Sequence, residues 1–91
     1  MSIKCRRIEV YGKVQGVWYR ASTKRKAEEL GLSGTVENKT DGSVYIEVSG
    51  SEDQINSLID WCKEGPELAE VRRVNIESIE QKSFTGFTVL R

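Results

Sequence analysis

From Gly12 to Arg20 the chain reads Gly-Lys-Val-Gln-Gly-Val-Trp-Tyr-Arg, two glycines four residues apart and then a guanidinium. Glycine admits backbone angles closed to other residues, so successive amides can converge on one point. Helical spacing begins at Tyr19, which adds the positive end of a helix and puts Arg20 in its first turn. A cation there is disfavoured by roughly 0.3–1 kcal/mol through the helix dipole. The cost makes sense if an anion is to be shared by the guanidinium and the loop amides. Glycine-rich strand-to-helix loops are common, so taken alone the loop is a weak signal, and an ordinary turn with a solvated arginine stands beside it as the plainer reading. Asn38 precedes an Asp41-Gly42 turn and by itself reads as a strand-end or turn contact; its amide can donate and accept hydrogen bonds but cannot serve as a base.

The rest of the composition narrows the chemistry. None of the 91 residues is histidine, which excludes Ser-His and Cys-His nucleophile pairs, histidine metal ligands and the ordinary near-neutral general base. Cys5 and Cys62 are too few and too far apart for a zinc site or a C-x-x-C redox pair. Both are expected to be thiols, Cys62 as a small buried hydrophobe and Cys5 on the other side of a sheet. No signal-type apolar stretch and no 18-residue apolar run occurs, so a cytoplasmic protein that does not span a membrane is expected. The formal net charge of +0 conceals an asymmetry. Residues 1–26 hold eight basic side chains against Glu9 alone, a surplus of +7, and the remainder carries −7.

Particular elements must position the loop and Arg20. Ile8 and Val10, two apart among charged neighbours, predict a half-buried strand over 3–11, followed by a loop over 12–18. Tyr19, Thr23, Ala27 and Leu30 form one helical stripe that Gly31 stops. Ser33 to Lys39, a Thr40-Asp41-Gly42 turn and Ser43 to Ser49 read as a hairpin, with Val44, Ile46 and Val48 alternating inward. Ser51-Glu52-Asp53-Gln54 is a capping box that opens a second helix, with Ile55, Leu58, Ile59 and Cys62 as its buried stripe and Gly65-Pro66 as its end. Strand signals follow from Leu68 to Ile79, with Val71 and Val74 out of phase and hence a bulge between them, and again from Phe87 to Leu90.

This β-α-β-β-α-β order with a short final strand predicts one α+β domain over residues 1–91. Its form is a ferredoxin-like sandwich, an antiparallel sheet of four to five strands with two helices on one face. That architecture serves many functions, so the site must decide. A copper chaperone would need paired thiols on the first loop, and an RNA-binding sheet would present a run of stacking aromatics where this one offers only Tyr11 and Tyr45.

The letters themselves resemble a known family. Gly12-Lys13-Val14-Gln15-Gly16-Val17-Trp18-Tyr19-Arg20 is similar to the G-x-V-Q-G-V-x-[F/Y/M]-R signature of acylphosphatases. Gly34-Thr35-Val36-Glu37-Asn38, followed by Gly42-Ser43-Val44, resembles the family's second signature. Glu64-Gly65-Pro66 and Gly86-Phe87 extend the likeness over essentially the whole chain. Beside the separate expectation of a monomer that binds no nucleic acid, the resemblance implies hydrolysis of acyl phosphates to a carboxylate and inorganic phosphate, with no metal and no cofactor. It implies that Arg20 and the backbone N–H groups of Gln15, Gly16, Val17, Trp18 and Tyr19 bind the phosphate. It further implies that Asn38 orients the attacking water and that the substrate's own phosphate oxygen takes the proton. Such chemistry asks a protein mainly for positioning and charge stabilisation, so the lack of histidine is no obstacle.

Three positions depart from the family pattern. Trp18 stands where a small residue is common, Tyr19 where Phe is usual, and Thr35 where an aromatic follows Gly34. The Tyr19 hydroxyl needs a partner if buried, and loss of apolar area at Thr35 is expected to cost stability near Asn38. Trp18 motivates an alternative, a catalytically weak anion-binding or partner-docking module. A third candidate is the acylphosphatase-like domain of hydrogenase-maturation proteins, which continue into zinc-binding domains; a chain ending at Arg91 is the expectation against it.

Overall fold

The alternation of Val44, Ile46 and Val48 becomes a central strand with all three side chains fully buried. The computed structural model describes residues 2–90. Its elements are β1 (Lys4–Lys13), α1 (Tyr19–Glu29), β2 (Ser33–Asn38), β3 (Val44–Gly50), α2 (Glu52–Cys62), β4 (Glu70–Ser78) and β5 (Phe87–Val89). They build a ferredoxin-like sandwich with sheet order β4-β1-β3-β2-β5. Strand and helix bounds fall within two residues of the sequence expectation, as fraying ends generally allow.

The core lies between this sheet and the helix pair. Ile8, Val10, Val36, Val44, Ile46 and Val48 form its sheet side, and Tyr19, Ala27, Ile55, Leu58 and Cys62 its helix side. Ile8 pairs with Ile46 and Val10 with Val44, so apolar side chains of the two middle strands stand side by side. The opposite face is polar. Arg7 bonds Glu77, Lys82 meets Glu47, and Lys39 lies 4.4 Å from the Tyr45 ring centroid and Arg73 4.2 Å from that of Tyr11. Both cysteines are buried free thiols. Cys5 lies against Lys82, whose backbone N–H donates to Sγ at 3.4 Å.

One pairing differs from the expected all-antiparallel sheet. β5 runs parallel to β2, with Gly34 opposite Phe87 and Val36 opposite Val89. The connection after β4 returns along the outer sheet face, where Ile79 N–H bonds the Cys5 carbonyl and Gln81 bonds that of Ile3. It thereby delivers β5 in the direction of β2. The bulge between Val71 and Val74 is present. Tyr11 pairs with Arg73 and Gly12 with Val71, leaving Arg72 as the extra residue. Gly12 makes that crossing possible, because a Cβ there would collide with the Glu70 carbonyl oxygen and come within 2.9 Å of Arg72 N.

Candidate active site

The two helices begin in opposite ways. At α2, Ser51 Oγ accepts from Gln54 N–H at 3.2 Å and Gln54 Oε1 accepts from Ser51 N–H at 2.9 Å, while Glu52 and Asp53 face the dipole. At α1 the N-cap is Trp18, with no side-chain capping bond and no acid in the first turn. Its φ of 67° is left-handed, whereas an N-cap ordinarily lies in the extended region. The result is a helix N-terminus whose donors are left uncovered. Among the described residues, the backbone N–H groups of Gln15, Gly16, Val17, Trp18 and Tyr19 have no protein acceptor. A chain that caps one helix so fully and leaves the other bare has placed its unused donors beside Arg20.

The loop is held from three sides. Val14 and Val17 are buried at 1% and 5% exposure, so their side chains anchor it in the core. Gln15 Nε2 donates to the carbonyls of Lys39 at 2.8 Å and Ser43 at 2.9 Å, which fastens the loop to the β2–β3 turn. Asp41 stiffens that turn by accepting from Ser43 N–H and Oγ, and those bonds hold its carboxyl below the usual carboxylate range. Gly16 adopts φ 73°, a conformation any side chain would strain, although the space beside it is open.

Tyr19 anchors the helix start. Its ring is 2% exposed and 5.4 Å from that of Trp61, and its hydroxyl donates to the Cys62 carbonyl at 2.7 Å. That carbonyl belongs to the last turn of α2, one of those a helix leaves without an internal partner. The extra hydroxyl therefore supplies a bond between helices. Burial pushes the Tyr19 phenol above its ordinary range and the Cys62 thiol up to about 12.

Asn38 ends β2 with the side-chain parity of Val36, on the helix side of the sheet. Arg20 and Asn38 line one cavity of about 420 Å³ together with Val14, Gly16, Trp18, Tyr19, Ala21 and Val89. The Arg20 guanidinium makes a long contact, 3.5 Å, with the Leu90 carbonyl beyond β5. Asn38 Oδ1 is buried with no hydrogen-bond donor, a condition costing about 1–3 kcal/mol. Such an acceptor belongs to a site waiting for a donor from outside the protein. A second hollow, about 440 Å³ between α2 and the Arg6 and Ile76 strands, contains none of these residues.

The sequence singled out Arg20, Asn38, Gly16, Trp18 and Tyr19, and the cavity brings them together; Gln15 and Val17 lie outside its lining and support it. Ala21 and Val89 went unrecognised. Val89 reaches the cavity only because β5 docks parallel to β2, and nothing local in its sequence signals that. Thr35 sits on the sheet face opposite Asn38, between Glu47 and Thr88. Its smaller side chain removes nothing from the wall around Asn38, contrary to expectation.

The acylphosphatase family model matches residues 6–89. A protein named acylphosphatase from Methylococcus capsulatus is 48% identical over 83 residues, 90% of this chain and 90% of that relative. The solved structure of an acylphosphatase from Coxiella burnetii superposes with a TM-score of 0.94 at 42% identity, covering 97% of this chain and 93% of that one. Full-length HypF, solved in a phosphate- and nucleotide-bound form, also matches, with a TM-score of 0.88 at 30% identity over 99% of this chain but only 12% of its own.

Proposed function

The chain belongs to the acylphosphatase family and hydrolyses acyl phosphates to a carboxylate and inorganic phosphate; from that premise we propose that Arg20 and the loop amides hold the phosphate while Asn38 orients the water. The observation that carries this reading is the shared cavity, in which the uncapped start of α1 and Arg20 meet Asn38 with its unpaired Oδ1.

The anionic phosphate takes hydrogen bonds from the loop N–H groups and the planar guanidinium, which together neutralise its charge. Asn38 Oδ1 accepts a hydrogen bond from a water and turns the water's lone pair toward phosphorus. As the water oxygen bonds to phosphorus, the bond from phosphorus to the acyl oxygen breaks and its electron pair leaves on the carboxylate. The water's proton passes to a phosphate oxygen, giving inorganic phosphate. A carboxylate is a good leaving group, so the step needs fixed charge and position more than a strong base. Asn38 supplies position only.

The Trp18 indole is 76% exposed and shares the cavity lining with Arg20 and Asn38, so it gives no support to a binding module without turnover. Within the same proposal the protein is a cytoplasmic monomer acting on small acyl phosphates without metal, cofactor or nucleic acid. In support of the last point, Arg73 lies over the Tyr11 ring and Lys39 over the Tyr45 ring, where a stacked base would otherwise sit. Among the described residues no helix is long and apolar enough to cross a membrane. The test is phosphate release from benzoyl phosphate by the wild type, Arg20→Ala and Asn38→Ala. Both substitutions are expected to abolish most turnover with the fold intact, and unchanged turnover in either would remove that residue from the mechanism.

A further inference from the structure

Trp18 is the one non-glycine residue among those described with positive φ, and it holds this left-handed conformation at the N-cap of α1. For a bulky side chain that conformation is a true outlier. The left-handed backbone can serve the amide cradle, but glycine would adopt it without strain, so a bulky indole kept at this position calls for a function of its own. Packing does not supply one, since the indole is 76% exposed and makes no capping bond.

Its position does. Trp18 lines the same cavity as Arg20 and Asn38, and Val14, Ala21 and Val89 add apolar wall to it. With the phosphate end of a substrate bound to the loop amides and Arg20, the acyl end meets what remains of that lining. A flat aromatic group can cover an indole face, and a methyl group cannot. We propose that Trp18 is the residue that selects the acyl group, favouring aromatic acyl phosphates over small aliphatic ones by stacking against the carbon next to the reacting anhydride. The proposal rests on the phosphate-end assignment above and extends it to the other end of the substrate.

The experiment compares kcat/KM for benzoyl phosphate and acetyl phosphate in the wild type, Trp18→Phe and Trp18→Ala. Inhibition by phenylphosphonate and methylphosphonate provides a binding readout independent of turnover. The benzoyl-to-acetyl ratio is expected to fall roughly three- to tenfold in Trp18→Ala, the size of an aromatic pair contact. It should be largely kept in Trp18→Phe, and the phosphonate inhibition ratio should move in the same direction. A ratio within twofold of wild type in Trp18→Ala, by both measurements, overturns the proposal. Failure of the phosphate-end assignment reads differently: inorganic phosphate and both phosphonates would inhibit Arg20→Ala as strongly as the wild type, whatever Trp18 does.

Discussion

The side-chain amide of Gln15 donates to the main-chain carbonyl of Lys39 across 2.8 Å, tying the loop ahead of α1 to the residue that follows Asn38. The same nitrogen also reaches the Ser43 carbonyl at 2.9 Å. Two parts of the site separated by more than twenty residues are thus held in one frame. Gln15→Ala removes both bonds, worth about 1 kcal/mol each. We expect inorganic phosphate to inhibit this variant roughly tenfold more weakly, with Arg20 and Asn38 still in place. An inhibition constant unchanged from wild type would show that the loop keeps its shape without the tie.

Asn38 links stability to activity in the opposite sense. Its buried Oδ1 lacks a donor within the protein, so the folded chain carries that cost until a donor from outside binds. Asn38→Ala should therefore lower kcat strongly yet leave the thermal midpoint equal to or above that of wild type by a few degrees. A midpoint well below wild type, measured by calorimetry, would indicate a structural role instead.

Arg20 follows similar logic. A guanidinium in the first turn of α1, with no acid near the helix start, opposes the dipole. Arg20→Ala is expected to reduce kcat/KM by roughly 100- to 1,000-fold, the scale for removing a positioned charge-stabilising donor, with no loss of stability. Arg20→Lys keeps the charge but loses the planar fork and should recover only a small part of the activity. Full recovery in the lysine variant would mean that charge alone suffices.

Most of the scaffold was legible because its signals are local. The capping box at Ser51, the alternation of Val44, Ile46 and Val48, and the phase slip between Val71 and Val74 each occupy a few consecutive residues. Asn38 shares parity with Val36, which is enough to put it on the helix side. What escaped the sequence depends on contacts between distant residues. The parallel docking of β5 brings Val89 to the cavity, the Gln15 acceptors lie on the β2–β3 turn, and Tyr19 reaches a carbonyl at the end of α2. The side of the sheet taken by Thr35 was readable from its odd parity with Val36, and it corrects the expected cost near Asn38.

Trp18 tests how much strain the loop stores. A left-handed conformation costs a non-glycine residue about 1–2 kcal/mol, and an indole 76% exposed returns little of it through burial. Trp18→Gly relieves the steric cost while adding backbone entropy to the unfolded chain, a smaller opposing effect. The net expectation is a gain of about 1 kcal/mol, read as a higher urea midpoint with an unchanged slope. A lower midpoint would mean that the indole makes stabilising contacts.

Tyr19 and Cys62 set the alkaline limit of stability. Burial raises the proton affinity of both groups in the folded state, the thiol to about 12 from an ordinary 9.0 and the phenol further above its ordinary 10.0. A group with a raised folded pKa contributes stability fully present below its unfolded pKa and lost as pH rises through and beyond that value. Thiol linkage thus begins to erode stability above pH 9 and phenol linkage above pH 10. By about pH 10.5 the losses relative to pH 8 are about 2 kcal/mol from Cys62 and about 1 kcal/mol from Tyr19. Tyr19→Phe should be less stable than wild type at pH 8, because the Cys62 carbonyl loses its 2.7 Å donor, by about 1 kcal/mol. Its stability should then fall less steeply above pH 10, so the two curves converge on the alkaline side. Urea unfolding of both proteins at pH 8 and 10.5 measures this, and parallel curves would show that the Tyr19 phenol ionises as readily in the folded protein as in the unfolded chain.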